Sequence, residues 1–306
     1  MSIVLVTLAL IAILTIALMV LPRLWESKKV PLSADVRSRL PATFARLPEG
    51  FVHYELAGPH GAQVVVLVHG FAIPGYIWDP TLEALVAGGF RVVRYDLFGR
   101  GYSDRPDLIY GLEIFQKQLL DLLDLLEILR PVDLVGMSTG AAIAASFAAA
   151  HPQRVRKLVF IGPQHAGTRI FPFNVPLLGD CCASAFFVPL LVRGQTRYFY
   201  RPERFPELPG RFREQMRYRG FRRALLSTFR NILGKDQLGL YQRVAKFNKP
   251  TLLIWGKEDR IFPFSSHGRV RHALEAEFFP VEEAGHLVGY EQSEIVNAKL
   301  VKFLHQ

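Results

Sequence analysis

Cysteine is nearly absent from this sequence, and its absence argues against one class of protein. The 306 residues contain only two cysteines, Cys181 and Cys182, and the two are adjacent. Neighbouring cysteines rarely bond to each other because the ring they would close is small and strained, so no disulfide framework is expected. We interpret both as small, buried apolar residues, with acylation as the weaker alternative.

Patterns that hold metals, nucleotides or nucleic acids are also missing. No cluster of histidine and cysteine has zinc-site spacing, and no glycine-rich loop leads into lysine followed by serine or threonine. We therefore expect no metal and no other cofactor. The formal net charge of +10 is compatible with nucleic acid binding. No nucleic-acid-binding motif accompanies that charge, so we expect no such partner. No pattern in the sequence specifies an oligomeric state.

Charge is missing from the start of the chain, which predicts a membrane anchor. Residues 3–21 contain only two threonines among aliphatic and methionine side chains. As a helix they would extend about 28 Å, enough to cross a bilayer core. A cleaved signal peptide is the rival interpretation. It requires basic residues before the apolar run, a shorter core and a small-residue cleavage site, and none of these is present. We predict a single-pass transmembrane anchor over residues 1–21.

Basic residues beside the anchor predict its orientation. Arg23, Lys28 and Lys29 follow the apolar run, and no basic side chain precedes it. Because positive residues tend to stay on the cytoplasmic side of a membrane span, we expect the rest of the chain to lie in the cytoplasm. Residues 22–43, with three prolines and mixed charges, are interpreted as a linker.

The remaining chain alternates between predicted strands and helices. Residues 64–68 form a continuous apolar run, which is typical of a buried parallel strand. Further strands are predicted at residues 51–56, 91–95, 132–135, 155–161, 251–255 and 278–281, and a helix at residues 112–129. This alternation predicts an α/β protein with a mostly parallel, doubly wound sheet. Ligands of such sheets bind at the carboxyl ends of the strands.

The junction after the strand at 132–135 has the strongest signal for chemistry. Between that strand and the alanine-rich helix at 141–150 lies only Gly136-Met137-Ser138-Thr139-Gly140. A turn this abrupt holds the Ser138 hydroxyl clear of both elements, above the sheet, and the helix N-terminus favours negative charge beside it. The alternative is an ordinary junction with a capping serine. The flanking strand and helix favour a nucleophile.

Residues 163–240 interrupt the alternation of strands and helices. Their first part, residues 171–192, is strongly apolar, and residues 193–230 contain eleven arginines against three glutamates. One interpretation is a lid that admits an apolar chain and rests on anionic headgroups. The other is a helical cap with an apolar underside and a solvated basic face. The sequence leaves both open.

Five segments, in chain order, resemble the α/β-hydrolase family: VVVLVHGF, YDLFGRGYSDRP, LVGMSTG, TLLIWGKEDRIFP and EEAGH. The resemblance extends from about residue 44 to the C-terminus. It implies the α/β-hydrolase fold, with a core of residues 44–162 and 241–306 and an inserted helical cap of residues 163–240. An N-terminal anchor followed by such a domain is similar to the membrane-bound monoacylglycerol lipases of the family.

The resemblance implies a catalytic triad. A serine needs a base to take its proton, the base needs an orienting acid, and this fold presents them in the order Ser, Asp or Glu, His. Ser138 is followed by Asp259, just after a predicted strand, and by His286 in the last matching segment. Glu258 is the rival acid, and Asp259 could instead be a turn residue bonded to its own backbone. His267 also follows Asp259 but falls in a predicted helix.

The same resemblance implies an oxyanion hole. The negative oxygen of a tetrahedral intermediate needs two N–H donors, and the family assigns them to the backbone amides of Phe71 and Thr139. We interpret His69 as shaping this loop rather than moving protons. Asp96 and Asp104 belong to a glycine turn and are given structural roles only.

These features favour a membrane-anchored serine hydrolase that cleaves carboxylic esters of lipid-like acyl chains, with monoacylglycerol as the leading substrate. Phe186 and Phe187 in the apolar part of the cap are interpreted as contacts for the acyl chain. One alternative is hydrolysis of a carbon–carbon bond in ring-cleavage products, although enzymes of that kind are soluble and bind acidic substrates. The other is an inactive hydrolase fold that serves as a membrane-tethered binding module.

Overall fold

The computed structural model describes residues 3–169, 171–175, 177–183 and 188–306. Its strands are β1 (Thr43–Leu47), β2 (Gly50–Ala57), β3 (Val64–Val68), β4 (Arg91–Tyr95), β5 (Val132–Met137), β6 (Val155–Ile161), β7 (Thr251–Gly256) and β8 (Glu277–Val281). Its α-helices are α1 (Ile3–Ser27), α2 (Ala34–Ser38), α3 (Asp79–Ala87), α4 (Leu112–Leu125), α5 (Thr139–Ala150), α6 (Leu178–Cys182), α7 (Val188–Gly194), α8 (Leu208–Gln215), α9 (Phe221–Thr228), α10 (Leu238–Ala245), α11 (His267–Leu274), α12 (Val288–Glu291) and α13 (Ser293–His305).

The strands form one eight-stranded sheet in the order β1-β2-β4-β3-β5-β6-β7-β8. The β1–β2 and β2–β4 pairs are antiparallel, and every pair from β4 through β8 is parallel. The register places Val66 beside Val93 on one neighbouring strand and beside Leu134 on the other. The predicted α/β-hydrolase fold, with its mostly parallel doubly wound sheet, is confirmed.

Helices cover both faces of the sheet, which explains why its central strand β3 is apolar along its whole length. In β3, Val66 and Val68 pack in the core that includes residues of α4, α5, α10 and α11. Their neighbours Val65 and Leu67 pack on the opposite face with residues of α3 and α13. Because alternate side chains point to opposite faces, a strand buried on both faces needs an apolar residue at every position.

Helix α1 differs from all the other described helices in its length and hydropathy. It has 25 residues, a mean hydropathy of 3.1 over its most apolar window, and no buried residue. Among the described residues it is the one helix long and apolar enough to cross a membrane, by length and composition. The helix continues through Pro22 and ends at Ser27, so its last turns lie beyond the apolar run of residues 3–21.

Short helices between β6 and β7 cover the carboxyl edge of the sheet. They include α6, α7, α8 and α9, and α9 leads into a π-helical turn at Phe229–Leu233. Cys181 and Cys182 are free thiols in this region and are half-buried, so they are less enclosed than the sequence suggested. Phe186 and Phe187 lie outside the described residues.

Candidate active site

Ser138 occupies a strained position between β5 and α5. Its backbone has φ 56° and ψ −121°, a conformation that non-glycine residues rarely adopt and that costs on the order of 1–3 kcal/mol. Three backbone hydrogen bonds hold the residue there. Its N–H donates to Ile161 O at 2.9 Å, and its carbonyl accepts from the N–H groups of Ala141 and Gln164, both at 3.1 Å. The surrounding loops therefore determine the geometry of this serine.

The two glycines of the turn are required by close backbone contacts. A Cβ atom on Gly136 would lie 2.5 Å from the carbonyl oxygen of Gly140. A Cβ atom on Gly140 would lie 2.2 Å from the carbonyl oxygen of Val68, at the end of β3. Side chains do not fit at such distances, so both positions need glycine for α5 to start immediately above β3 and β5.

Asp259 and His286 meet at the carboxyl ends of β7 and β8. The Asp259 Oδ2 atom lies 2.8 Å from His286 Nδ1, and both side chains are almost completely buried. The other carboxylate oxygen, Oδ1, accepts from the backbone N–H groups of Ile261 at 2.8 Å and Phe262 at 2.9 Å. Two amide donors leave Oδ2 free to accept from Nδ1. This keeps the proton on Nδ1 and leaves Nε2 of His286 as a base.

Ser138 and His286 line one cavity of about 70 Å³. Its other described lining residues are Gly70, Phe71, Ala72, Ile73, Met137, Tyr198, Leu233, Ile261, Phe262 and Leu287. Apart from Ser138, His286 and the Tyr198 hydroxyl, these are apolar side chains or glycine. The described lining therefore suits an uncharged, apolar group beside the serine.

The loop after β3 lies directly against Ser138. A Cβ atom on Gly70 would lie 3.1 Å from the Ser138 Cβ, so any side chain at position 70 would be in tight contact with the serine. Phe71 follows in the same loop, and Thr139 is the first residue of α5, whose amide has no partner within its helix. The structure thus places both predicted oxyanion residues next to the serine.

His69 is locked in a structural role. Its Nε2 accepts a hydrogen bond from Leu97 N–H at 2.9 Å, so its Nδ1 carries the proton and donates to Gly70 O at 2.8 Å. Burial lowers the pKa of His69 to about 4, which keeps the ring neutral. With both nitrogens engaged, this histidine shapes the loop at Gly70, as the sequence suggested.

The other acidic and histidine candidates are engaged elsewhere. Glu258 Oε2 accepts from Ala284 N–H at 2.9 Å, which ties the loop after β7 to the loop before His286. His267 stacks on Phe278 and its Nδ1 lies 2.7 Å from the carbonyl of Phe264. Neither residue lines the cavity beside Ser138.

Asp96 supports the loops on the far side of the site. Its carboxylate accepts from Gly75 N–H at 2.7 Å and Tyr102 N–H at 2.9 Å, and it lies 2.7 Å from His53 Nδ1. Burial alone would raise the pKa of Asp96, but the charge and hydrogen bond of His53 lower it to about 2. Asp104 accepts from Phe51 N–H at 2.8 Å. Both contacts agree with structural roles.

Sequence reasoning missed three residues that support the site. Glu291, 5 % exposed, accepts from Gly285 N–H beside His286 and from Tyr200 N–H in the cap. The Tyr198 ring packs 6.0 Å from the His286 ring, and burial raises its pKa to about 12. No motif marks Glu291 or Tyr198, because each is defined by contacts between distant segments.

Arg100 is the third missed residue and lies behind the oxyanion loop. It is fully buried, and its guanidinium donates to Phe71 O at 2.8 Å, to Phe98 O at 3.1 Å and to the Thr228 hydroxyl at 2.8 Å. Burial lowers its pKa to about 9. Its contacts join the oxyanion loop to helix α9 of the cap. The FGRG sequence was visible, but the partners that give this arginine its role were not.

The fold and the arrangement of Ser138, His286 and Asp259 define a class of protein. Residues 63–293 match the family model described as alpha/beta hydrolase fold. The chain therefore belongs to the α/β-hydrolase family, as the resemblance implied.

The proteins to which the chain is similar include hydrolases of several kinds. The chain is 31 % identical over 280 residues to a 2-hydroxy-6-oxononadienedioate/2-hydroxy-6-oxononatrienedioate hydrolase of Paraburkholderia xenovorans, covering 85 % of this chain and 94 % of that protein. The enol-lactonase of Burkholderia xenovorans superposes with a TM-score of 0.75 at 22 % identity, over 86 % of this chain and all of that one. A thermophilic esterase of Thermogutta terrifontis gives 0.73 at 20 % identity, over 87 % and 98 % of the two chains. At these identities the two structures support the fold alone.

Proposed function

We propose that this protein is a serine hydrolase that cleaves carboxylic esters of apolar acyl groups. The proposal assigns Ser138 as nucleophile, His286 as general base and acid, and Asp259 as the residue that orients His286. The complete set, held by buried hydrogen bonds, argues against an inactive binding module. A fold used only for binding has no need of a strained serine in a cavity shared with a histidine.

In the first half of the proposed reaction, His286 Nε2 takes the hydroxyl proton of Ser138 as Oγ attacks the ester carbonyl carbon. The carbonyl oxygen becomes an anion and receives hydrogen bonds from the backbone N–H groups of Phe71 and Thr139. The positive charge that forms on His286 is stabilised by Asp259, which lies 2.8 Å from Nδ1. The carbon–oxygen bond then breaks, His286 gives its proton to the leaving alcohol, and an acyl-enzyme remains.

In the second half, water replaces the alcohol. His286 Nε2 takes a proton from water, the hydroxide attacks the acyl carbon, and the same two amides hold the oxyanion. The bond to Ser138 Oγ breaks and His286 returns the proton to the serine. The products are a carboxylic acid and an alcohol, and no metal or cofactor is required.

The apolar lining of the cavity beside Ser138 is the observation that carries the ester proposal. The described lining contains no lysine, arginine, aspartate or glutamate. A carboxylate placed against such side chains would lose its hydration without gaining a cationic partner, which costs several kcal/mol. An acyl group of carbon and hydrogen carries no such cost, so the lining favours it.

A second candidate is hydrolysis of a carbon–carbon bond, and the relatives favour it. The curated relative at 31 % identity has a name that denotes a dicarboxylate substrate, and a solved relative is a meta-cleavage product hydrolase. These names support this alternative better than they support a lipase. The same triad would serve a different bond. The described lining, however, offers no cation to either carboxylate of such a substrate.

Wild-type enzyme will therefore separate the two candidates. We expect kcat/KM to rise by about tenfold per two carbons from p-nitrophenyl acetate to the octanoate, since each buried methylene contributes about 0.8 kcal/mol. We expect 2-hydroxy-6-oxononadienedioate to be cleaved at least about tenfold more slowly than the best ester, because its charges are not matched. Faster cleavage of the dienedioate than of the best ester would favour carbon–carbon bond hydrolysis over ester hydrolysis. A preference for acetate over longer esters would contradict an apolar acyl substrate.

Helix α1 supports a second part of the proposal, that the protein is anchored in a membrane with its catalytic body in the cytoplasm. The helix buries none of its residues against the body, and apolar residues such as Leu10 and Ile13 are more than 60 % exposed. An apolar surface of this extent needs a lipid or protein environment. Arg23, Lys28 and Lys29 at its end support the cytoplasmic orientation.

Full-length protein is expected to remain in membranes after washing with high salt or alkaline carbonate. Protease added to the cytoplasmic face of sealed vesicles should digest the body, and protease on the other face should not. A resident protein of known topology serves as the control for vesicle integrity. Release by carbonate would exclude an integral anchor, and digestion from the opposite face would reverse the orientation.

A further inference from the structure

A groove of about 300 Å³ lies between helix α1 and the cap. Its apolar lining includes Leu18 and Met19 of α1 and Leu177 and Leu226 of the cap. Arg23, Arg222 and Arg223 line it as well, together with the carboxylates of Glu26 and Asp180. The groove is therefore amphipathic, with aliphatic side chains and charged groups of both signs in the same concave surface.

Helix α1 is fastened to the cap beside this groove. The Glu26 carboxylate accepts from the backbone N–H of Gly220 and lies 2.9 Å from the Arg222 guanidinium. A few residues later, Val30 forms a β-bridge with Tyr218, in which its N–H donates to Arg217 O at 2.9 Å and its carbonyl accepts from Arg219 N–H at 2.9 Å. These bonds hold the two walls of the groove in one arrangement.

The groove lies where the apolar helix surface ends. The uncharged run stops at Leu21, and Arg23, Trp25 and Glu26 follow within the same helix. Tryptophan and basic side chains are typical of the boundary between hydrocarbon and water. If α1 spans the bilayer, the groove opens at that boundary, with Leu18 and Met19 on its lipid side.

A line of aromatic rings leads from the cap wall of the groove to the serine. Helix α6, which packs on α1, lies against the backbone of Phe173: a Cβ atom on Gly179 would be 2.4 Å from the Phe173 carbonyl oxygen. The Phe173 ring is 5.8 Å from that of Phe229, and Phe229 is 6.2 Å from Phe71. Phe71 lines the cavity beside Ser138.

We propose that this groove receives the acyl chain of a single-chain lipid ester directly from the bilayer and leads it to Ser138. The proposal rests on the proposed function, since it requires an anchored hydrolase of apolar esters. A chain that entered here would pass from lipid to the Leu18 and Met19 side chains, and the aromatic rings between the groove and the cavity would have to part for it to reach Ser138. The arginines at the polar end match the polar head of a lipid rather than its chain.

Filling the groove tests this entry route. Met19→Trp adds an indole on the groove side of α1, and Leu24→Trp is the matched control, because Leu24 does not line the groove and lies about 140° around the helix. The two original side chains are similarly exposed, at 41 % and 53 %. In vesicles, Met19→Trp should lower hydrolysis of a long-chain monoacylglycerol at least fivefold and leave p-nitrophenyl acetate hydrolysis unchanged. Leu24→Trp should leave hydrolysis of both substrates unchanged.

Two kinetic outcomes would overturn the route. Equal loss on both substrates would mean that Met19 supports the fold. Undiminished monoacylglycerol hydrolysis in Met19→Trp would mean that the acyl chain enters elsewhere. Ester hydrolysis by the wild-type protein would still support the proposed function.

A binding measurement separates the route from the reaction. A diazirine-bearing monoacylglycerol ether, which cannot be hydrolysed, is irradiated with full-length Ser138→Ala protein in vesicles. We expect cross-links in the peptides that contain Met19 and Leu226, and fewer of them in the Met19→Trp background. Cross-links confined to the outer surface of α1 would refute the groove even if wild-type protein hydrolyses esters. Groove cross-links in a protein that cleaves no ester would support the groove as a lipid site and refute the proposed reaction.

Discussion

Ser138→Ala will abolish ester hydrolysis and covalent labelling by a fluorophosphonate. Removing the nucleophile of a serine hydrolase lowers kcat by roughly 10⁴- to 10⁶-fold, because no other group forms the acyl-enzyme. The expected result depends on the cavity shared by Ser138 and His286. Turnover of p-nitrophenyl butyrate and gel detection of a fluorescent fluorophosphonate provide the two measurements.

The variant is expected to stay folded, which makes its inactivity informative. Alanine retains the Cβ atom, and the hydrogen bonds that hold position 138 use backbone atoms only. Its thermal midpoint should therefore stay within a few degrees of that of the wild type. Labelling that persists in a folded Ser138→Ala protein would show that another residue is the nucleophile.

Asp259→Asn will lower kcat by roughly 10⁴-fold while leaving the protein folded. The amide oxygen can still accept from the N–H groups of Ile261 and Phe262, which now bond to Oδ1. Its NH₂ group would then point at His286 Nδ1 as a donor. The imidazole would have to carry its proton on Nε2, where it could no longer accept the serine proton. Single-turnover rates of ester cleavage measure the loss.

Glu258→Gln is the matched control for that experiment. Glu258 is adjacent in sequence and accepts only from Ala284 N–H among its described contacts, a bond that an amide oxygen preserves. We expect its kcat to stay within about twofold of the wild type. If Glu258→Gln loses activity and Asp259→Asn does not, the acid has been wrongly chosen.

Much of the fold was predictable because the alternation of apolar strands and helices along the sequence agrees with the order of elements in the sheet. The residue bounds predicted for β3, β4 and β6 match the structure, since each strand is followed by a polar residue or glycine, although β4 and β6 carry basic residues among their apolar ones. The edge strand β1 was not predicted as a strand. Its sequence TFARL alternates only weakly between polar and apolar residues, and its pairing with β2 becomes evident only in the sheet.

The site was predictable where it is made by motifs and unpredictable where it is made by packing. Ser138, Asp259 and His286 each follow a strand of the sheet, and their order along the chain together with the family segments was sufficient to select them. Tyr198 and Glu291 lie in different segments and act on the His286 loop through contacts that no spacing reveals. Their roles required coordinates.

Substrate chemistry was the least predictable property. The preference for lipid-like esters was drawn from the apolar N-terminal run and the apolar part of the cap, neither of which contacts the reacting atoms in a known way. The name of the relative at 31 % identity denotes a dicarboxylate substrate for that protein, whereas the lining beside Ser138 in this chain favours an apolar acyl group. A triad specifies how a bond is broken, and the cap specifies which molecule reaches it.

The distribution of the site along the chain has a consequence for biosynthesis. Helix α1 leaves the ribosome first, whereas Asp259 and His286 follow β7 and β8, the last strands to be made. If α1 is the proposed anchor, a nascent chain can be tethered to a membrane while it still lacks both the proposed base and its orienting acid. Because a domain generally folds as a unit, Ser138 stays without these partners until the final strands dock. Each active molecule is then a completely folded domain, and a partly made chain lacks the proposed activity.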